Sequence, residues 1–193
     1  MSDAWPAGVA RHVLARTDST NAEALKLAPG LSAPAWVMAR EQFAGRGRRG
    51  REWVMPAGNF AGTLVLRPQG GTLAAAQLSF VAALALYDAL GLACGPAARL
   101  AIKWPNDVLL NGGKVAGILL ESAGSGPGVQ AVAVGIGVNL AAAPDASVVE
   151  PGAIPPVSVQ GETGHAVDPE DFLDLLAPAF ARWQAQLDSY GFA

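Results

Sequence analysis

Polar and apolar positions alternate along this chain in two rhythms. Where the period is near two, or a short apolar run is closed by turn residues, the pattern predicts strands at 12–16, 36–41, 63–66, 100–104 and 130–140; Pro68 ends the third. Val108-Leu109-Leu110 and residues 114–121 flank Asn111-Gly112-Gly113, and Asn-Gly between apolar runs marks a tight hairpin because both residues tolerate positive φ. The longer rhythm predicts three helices. Thr20-Asn21-Ala22-Glu23 has capping-box spacing and opens one that Pro29-Gly30 stops near residue 28. An Ala/Leu-rich run over 73–90 forms the second. The third opens at Asp168-Pro169-Glu170, with a capping side chain, a proline at the first helical position and acids in the first turn, and Pro178 predicts a kink within it. Strands outnumber helices without strict alternation, so the expected class is α+β: a mixed β-sheet with packed helices, in one domain over 1–193 with a Pro/Gly-rich connection at 141–167.

The strand at 130–140 carries a finer signal. One face holds Val132, Val134, Ile136, Val138 and Leu140, which belong in a core; the other holds Ala131, Ala133, Gly135, Gly137 and Asn139. Two glycines on one face leave room either for a ligand or for a closely packed helix.

Composition narrows the class. Of 193 residues, 51% are hydrophobic and 15% charged, which excludes a disordered chain and supports a sizeable core. Gln77, Tyr87 and Asp88 interrupt the apolar run at 73–92 and no basic residues closely flank it, so it reads as a buried helix and not a membrane span. The opening Met-Ser-Asp-Ala-Trp-Pro lacks the basic and apolar regions of a signal peptide. A single cysteine, Cys94, accompanied by His12 and His165, offers neither a disulfide framework nor a metal cluster, and a cytoplasmic protein is expected. Charge is uneven. Residues 145–193 hold eight acids and one base, whereas Arg46, Arg48, Arg49 and Arg51 crowd one hexapeptide. A concentrated basic loop on an acidic protein points to a local anion site more than to a nucleic-acid-binding face.

That loop, Gly45-Arg46-Gly47-Arg48-Arg49-Gly50, formally matches a dinucleotide fingerprint. It fails the context, because Arg51-Glu52-Trp53-Val54-Met55-Pro56 follows and Pro56 breaks any helix the motif would open. Its glycines expose backbone N–H groups and its arginines give permanently charged planar donors for carboxylate or phosphate. By itself the hexapeptide fits a small-anion loop and a solvated basic loop equally. Lys103-Trp104-Pro105-Asn106-Asp107 precedes the hairpin, and Lys114 follows its turn, where a compact cation could meet an anion. Asn106 and Asp107 offer oxygens to Mg²⁺ or a ribose, or simply cap a strand. Ser19-Thr20-Asn21 caps a helix and could also donate to a polar ligand group.

Taken together, Ser19-Thr20-Asn21, the run from Glu41 to Trp53, Lys103 to Asp107, Lys114-Val115-Ala116-Gly117-Ile118-Leu119 and Gly135-Ile136-Gly137-Val138-Asn139 resemble the biotin protein ligase family in order and spacing. The resemblance spans about residues 17–140 and implies the catalytic fold shared with lipoate ligases and class II aminoacyl-tRNA synthetases. It implies that biotin and ATP, with Mg²⁺, give biotinyl-5′-AMP, and that biotin then passes to a lysine of a biotin carboxyl carrier protein domain. Ser19, Thr20, Asn21 and Gln42 would hold the ureido ring, with Gly117 nearby. Arg46, Gly47 and Arg48 would wrap the adenylate, with Arg49, Arg51 and Lys103 on the nucleotide side and Trp53 packing beside it. Lys114 and Arg48 would act at the reacting carboxylate and α-phosphate, and Asn106, Asn139 and Asp107 would face nucleotide and Mg²⁺. Neither the family's N-terminal DNA-binding domain nor its small C-terminal β-barrel domain is expected within 1–193, so a repressor role is not expected. No nucleic-acid or membrane partner is expected either, and a homodimer stays open. The rival readings are a lipoate or octanoate ligase relative and a non-catalytic module that retains biotin or its adenylate.

Overall fold

The computed structural model describes residues 4–124, 130–145 and 152–191. Seven strands form one sheet: β1 (Ala10–Thr17), β2 (Ala35–Gln42), β3 (Phe60–Leu66), β4 (Leu100–Lys103), β5 (Asp107–Leu110), β6 (Gly113–Ala123) and β7 (Ala131–Val138). Their spatial order is β1-β2-β3-β7-β6-β5-β4. Only β1 and β2 are parallel; the remaining pairs are antiparallel. The helices are α1 (Thr20–Leu27), α2 (Gly71–Cys94), α3 (Val159–Thr163) and α4 (Pro169–Tyr190). This is the mixed-sheet α+β architecture the pattern predicts.

The period-2 reading of β7 explains the layering. Val132, Val134, Ile136 and Val138 join the main core with Trp36, Phe60, Leu64, Leu86, Phe172 and Phe180, beneath α2 and α4. Ala131 and Ala133, on the opposite face, pack with Ala35, Val37, Val65 and Ala24 of α1. Small residues on that side let α1 approach closely and leave the glycine end of β7 beside its N-terminus. Edge-on aromatic pairs, Trp36 with Phe180 and Phe60 with Phe172, lock α4 to the sheet. The apolar run at 73–90 lies within α2, whose Leu78, Ala82, Leu86 and Leu90 are buried against sheet and α4.

Turn chemistry behaves as read. Asn111 and Gly112 both take positive φ, 51° and 91°, as a tight hairpin turn requires. Asp168 caps α4 by accepting from Glu170 N–H at 2.7 Å, and α4 continues as helix through Pro178. Several strands extend beyond the predicted spans: β1 begins at Ala10 and β3 at Phe60. The 141–167 connection contains the unanticipated α3, capped by Ser158 accepting from Gly161 N–H at 3.1 Å; residues 146–151 of that connection lie outside the described residues.

Candidate active site

A cleft opens where the α1 N-terminus, the segment 42–53, and strands β6 and β7 meet. Its walls include Ser19, Thr20, Asn21, Gln42, Arg46, Trp53, Asn106, Lys114, Gly117, Gly135 and Gly137. The sequence-separated segments singled out above therefore converge on one site.

One end is polar and buried. Ser19 caps α1 by accepting from Ala22 N–H. Gln42, at the end of β2, accepts from Thr20 N–H at 2.9 Å and from its hydroxyl at 3.2 Å. Asn21 is 5% exposed; its Nδ2 donates to Glu121 Oε2 at 2.7 Å and to the Leu119 carbonyl at 3.3 Å, and its Oδ1 accepts from the Thr63 hydroxyl at 2.6 Å. Such a buried polar cluster demands this internal pairing, because each unpaired group would cost about 1–3 kcal/mol. Thr63 and Glu121 are functional candidates that sequence reasoning missed. The available signal for Thr63 was one hydroxyl in the otherwise apolar Phe60–Leu66, and for Glu121 a lone acid within β6.

The glycine face of β7 is packed closely by side chains of α1 and of the Arg/Gly loop segment. A Cβ on Gly135 would come within 2.8 Å of Asn21 Cγ, and one on Gly137 within 2.6 Å of Trp53 Cζ2. Trp53 also closes over Gly117, and its ring centre lies 5.7 Å from Lys114 Nζ.

The Arg/Gly loop is a narrow folded turn. Arg46 and Glu52 form an isolated antiparallel bridge, Trp53 N–H donates to Gly45 O at 2.9 Å, and Arg49 adopts φ 60°. Arg46 Nη2 lies 3.1 Å from Glu121 Oε1. Arg48 reaches across to donate to Asn106 Oδ1 at 3.2 Å, and Asn106 Nδ2 in turn is held by the Ile118 carbonyl at 3.3 Å. Gly47 is not a free anion donor: its N–H is spent on Arg51 O at 2.7 Å. Arg49, Arg51 and Lys103 are exposed and do not line this cleft.

Lys114 sits on β6 directly after the turn, and its Nζ lies 2.8 Å from Asp107 Oδ1. The contact is ionic without hydrogen-bond directionality, for that buried oxygen has no directed donor. Its backbone is clamped as well: Lys114 N–H donates to Pro155 O at 2.9 Å, and its carbonyl accepts from Val157 N–H at 3.0 Å. Asn139 belongs to this clamp and does not line the cleft; buried, it donates through Nδ2 to Val157 O at 3.0 Å. Asp107 faces Lys114 through Oδ1, and no group of three His, Cys, Asp or Glu side chains gathers among the described residues; a Mg²⁺ held mainly by nucleotide phosphates would need no such cluster. Next to Ser19, Asp18 is held below its ordinary pKa chiefly by the Ser19 N–H and then by the Thr17 hydroxyl.

The family model described as biotin/lipoate A/B protein ligase matches residues 13–139. A biotin–[acetyl-CoA-carboxylase] ligase of Paracoccus denitrificans is 93% identical over 181 residues, covering 94% of this chain and 75% of the relative. Across eight of the curated relatives it matches, the chain spans from 28% to 75% of their length. The Aquifex aeolicus biotin protein ligase in complex with biotin and ATP superposes with a TM-score of 0.73 at 25% identity, over 94% of this chain and 72% of that one. The Leishmania major enzyme in complex with biotinyl-5-AMP gives 0.72 at 26% identity, over 93% and 76%. Converging motifs, shared fold and sequence identity lead to one conclusion: the chain belongs to the biotin/lipoate A/B protein ligase family.

Proposed function

We propose that this chain is the catalytic domain of a biotin–carrier protein ligase, activating biotin with ATP and passing it to a lysine of a biotin carboxyl carrier domain. The observation that carries the choice within the family is the polar, hydrogen-bonded end of the cleft formed by Thr20, Asn21 and Gln42. A ureido ring supplies both N–H donors and a carbonyl acceptor to such a site. A lipoyl dithiolane or octanoyl tail would leave unused the capacity these internal bonds spare, such as the second lone pair of Asn21 Oδ1, and sites built for hydrogen bonds discriminate strongly against such analogues.

The chain's own residues divide the work. With the ring at that polar end, Lys114 meets the carboxylate and α-phosphate, where negative charge gathers as a carboxylate oxygen attacks phosphorus and pyrophosphate leaves. Asp107 holds the ammonium in place between turns of the reaction. Arg46 and Arg48 close the loop side, and Trp53 walls the nucleotide end and limits water access to the mixed anhydride. In the second half, the carrier's lysine amine attacks the acyl carbon, AMP leaves, and the ammonium proton is lost to solvent. Mg²⁺ would enter with ATP on this reading and add counter-charge at its phosphates. A cytoplasmic location, where ATP and the carrier are supplied, belongs to the same proposal.

The test is mass spectrometry of a carrier domain incubated with this chain, biotin and MgATP. One biotinyl addition at the carrier lysine is expected. Labelling with lipoate in preference to biotin would replace this reading with the lipoate or octanoate ligase, and biotin binding with neither pyrophosphate release nor transfer would replace it with the non-catalytic module.

A further inference from the structure

We propose that Glu121 is a positioning residue that ties the ring end of the cleft to the Arg/Gly loop, so that one carboxylate sets both biotin affinity and loop closure. This rests on the functional reading above. Glu121 lies on β6 opposite Ala133 of β7. Its Oε2 accepts from Asn21 Nδ2 at 2.7 Å, and Arg46 Nη2 stands 3.1 and 3.3 Å from its two oxygens. Asn21 and Arg46 line the cleft, whereas Glu121 does not. It therefore acts through them.

Asn21 shows what the carboxylate does at the ring end. Both Nδ2 protons are used, on Glu121 and on the Leu119 carbonyl, while Oδ1 receives the Thr63 hydroxyl and keeps one lone pair. A flipped amide would aim its oxygen at a carboxylate and a carbonyl. Glu121 thus fixes Asn21 as an acceptor toward the cleft, the role a ureido N–H needs. At the loop, the same carboxylate engages one guanidinium nitrogen of Arg46 and leaves the others for an anionic ligand. Neither α1 nor β6 depends on Glu121 to form: Ser19 caps the helix, and β6 is paired to β7 across this stretch. The Arg46–Glu121 side chains are 49% and 29% exposed, so the pair contributes little to global stability and mainly sets geometry.

The test compares Glu121→Gln, Glu121→Ala, Arg46→Ala and the double variants by two readouts, with thermal melts as the control for folding. The first needs no ligand: trypsin cutting at Arg48, Arg49 and Arg51. Glu121→Gln keeps an acceptor for Asn21 but loses the charge opposite Arg46, so cutting should rise about two- to fivefold at unchanged melting temperature. The second is calorimetric titration of biotin. Glu121→Gln should weaken it about threefold and Glu121→Ala about tenfold, because only alanine also releases Asn21. In the Arg46→Ala background, Glu121→Gln should add nothing further, whereas Glu121→Ala should still weaken biotin. Unchanged cutting in Glu121→Gln, or equal losses in both backgrounds, would overturn the proposal. If the alanine variant does not fold, Glu121→Asp takes its place: it keeps the charge but withdraws the carboxylate by one methylene from Asn21, so it should still weaken biotin in the Arg46→Ala background. Should the parent chain not bind biotin, the functional reading fails, and the trypsin comparison still decides whether Glu121 holds the loop.

Discussion

Gly137→Ala should damage the nucleotide end of the cleft while leaving the fold intact. The added Cβ would stand 2.5 Å from Trp53 Nε1 and 2.6 Å from Cζ2. Apolar contacts settle at about 3.5–4.0 Å, so one partner must withdraw by about an ångström. The β7 backbone cannot, since β3 and β6 pair it on both sides at Gly137. Trp53 can, because it is only half-buried and ends a surface loop. The misfit therefore appears as a displaced indole. Overpacking of this kind typically costs about 1–3 kcal/mol, and if that cost falls on the bound state, ATP should bind about five- to a hundredfold more weakly. Urea unfolding should be unchanged or slightly improved, since alanine loses less backbone entropy than glycine in a strand. Gly135→Ala is the contrasting variant. Its Cβ would press on Asn21, which is buried and hydrogen-bonded to Glu121, Leu119 and Thr63, and so has no way out. That variant should lose roughly 1–3 kcal/mol of stability and its biotin binding. Separate calorimetric titrations of ATP and biotin, with urea melts, distinguish the two. Parental ATP affinity in Gly137→Ala would refute the idea that Trp53, seated on Gly137, forms part of the nucleotide site.

Lys114→Ala should abolish biotin-dependent pyrophosphate release with the fold preserved; release at the parental rate would remove Lys114 from the reaction. Arg48→Gly should still form the adenylate but release it about ten- to a hundredfold faster, for one charge-assisted contact is lost; bystander proteins would then become biotinylated, and labelling no greater than with an active parent counts against Arg48 as the gate. Asp18 has a lowered folded pKa, so its stabilisation is present above its ordinary value near 3.8 and fades as pH falls through the folded value. Asp18→Asn should therefore flatten the acid limb of a melting-temperature profile, and an unaltered limb would show that Asp18 is not linked to folding. Burial pushes the Cys94 thiol up to about 11, so a disulfide reagent at pH 8 should label it only as the chain unfolds; rapid labelling of the folded protein would contradict its packing.

Local chemistry was decided along the chain itself. Asn111-Gly112 dictates a hairpin because both residues accept positive φ, and Asp168-Pro169 dictates a helix start because a cap and a fixed φ act within one turn. The two faces of β7 were likewise legible, since a period of two is a property of the backbone. The order and spacing of the Arg/Gly loop, the Lys-Trp-Pro-Asn-Asp run and the glycine strand were enough to identify the family. What the sequence could not determine was which partner each polar group meets, because those partners lie up to about a hundred residues away: Asn21 with Glu121, Arg48 with Asn106, Asn139 with Val157. Only the sheet order β3-β7-β6 beside the N-terminus of α1 brings them together. The same fold sets Asp107 against Lys114 and seats Asn139 in the clamp behind that lysine. A side chain's type states what it can bond, but in a folded protein burial and the geometry of its neighbours decide which bond is made.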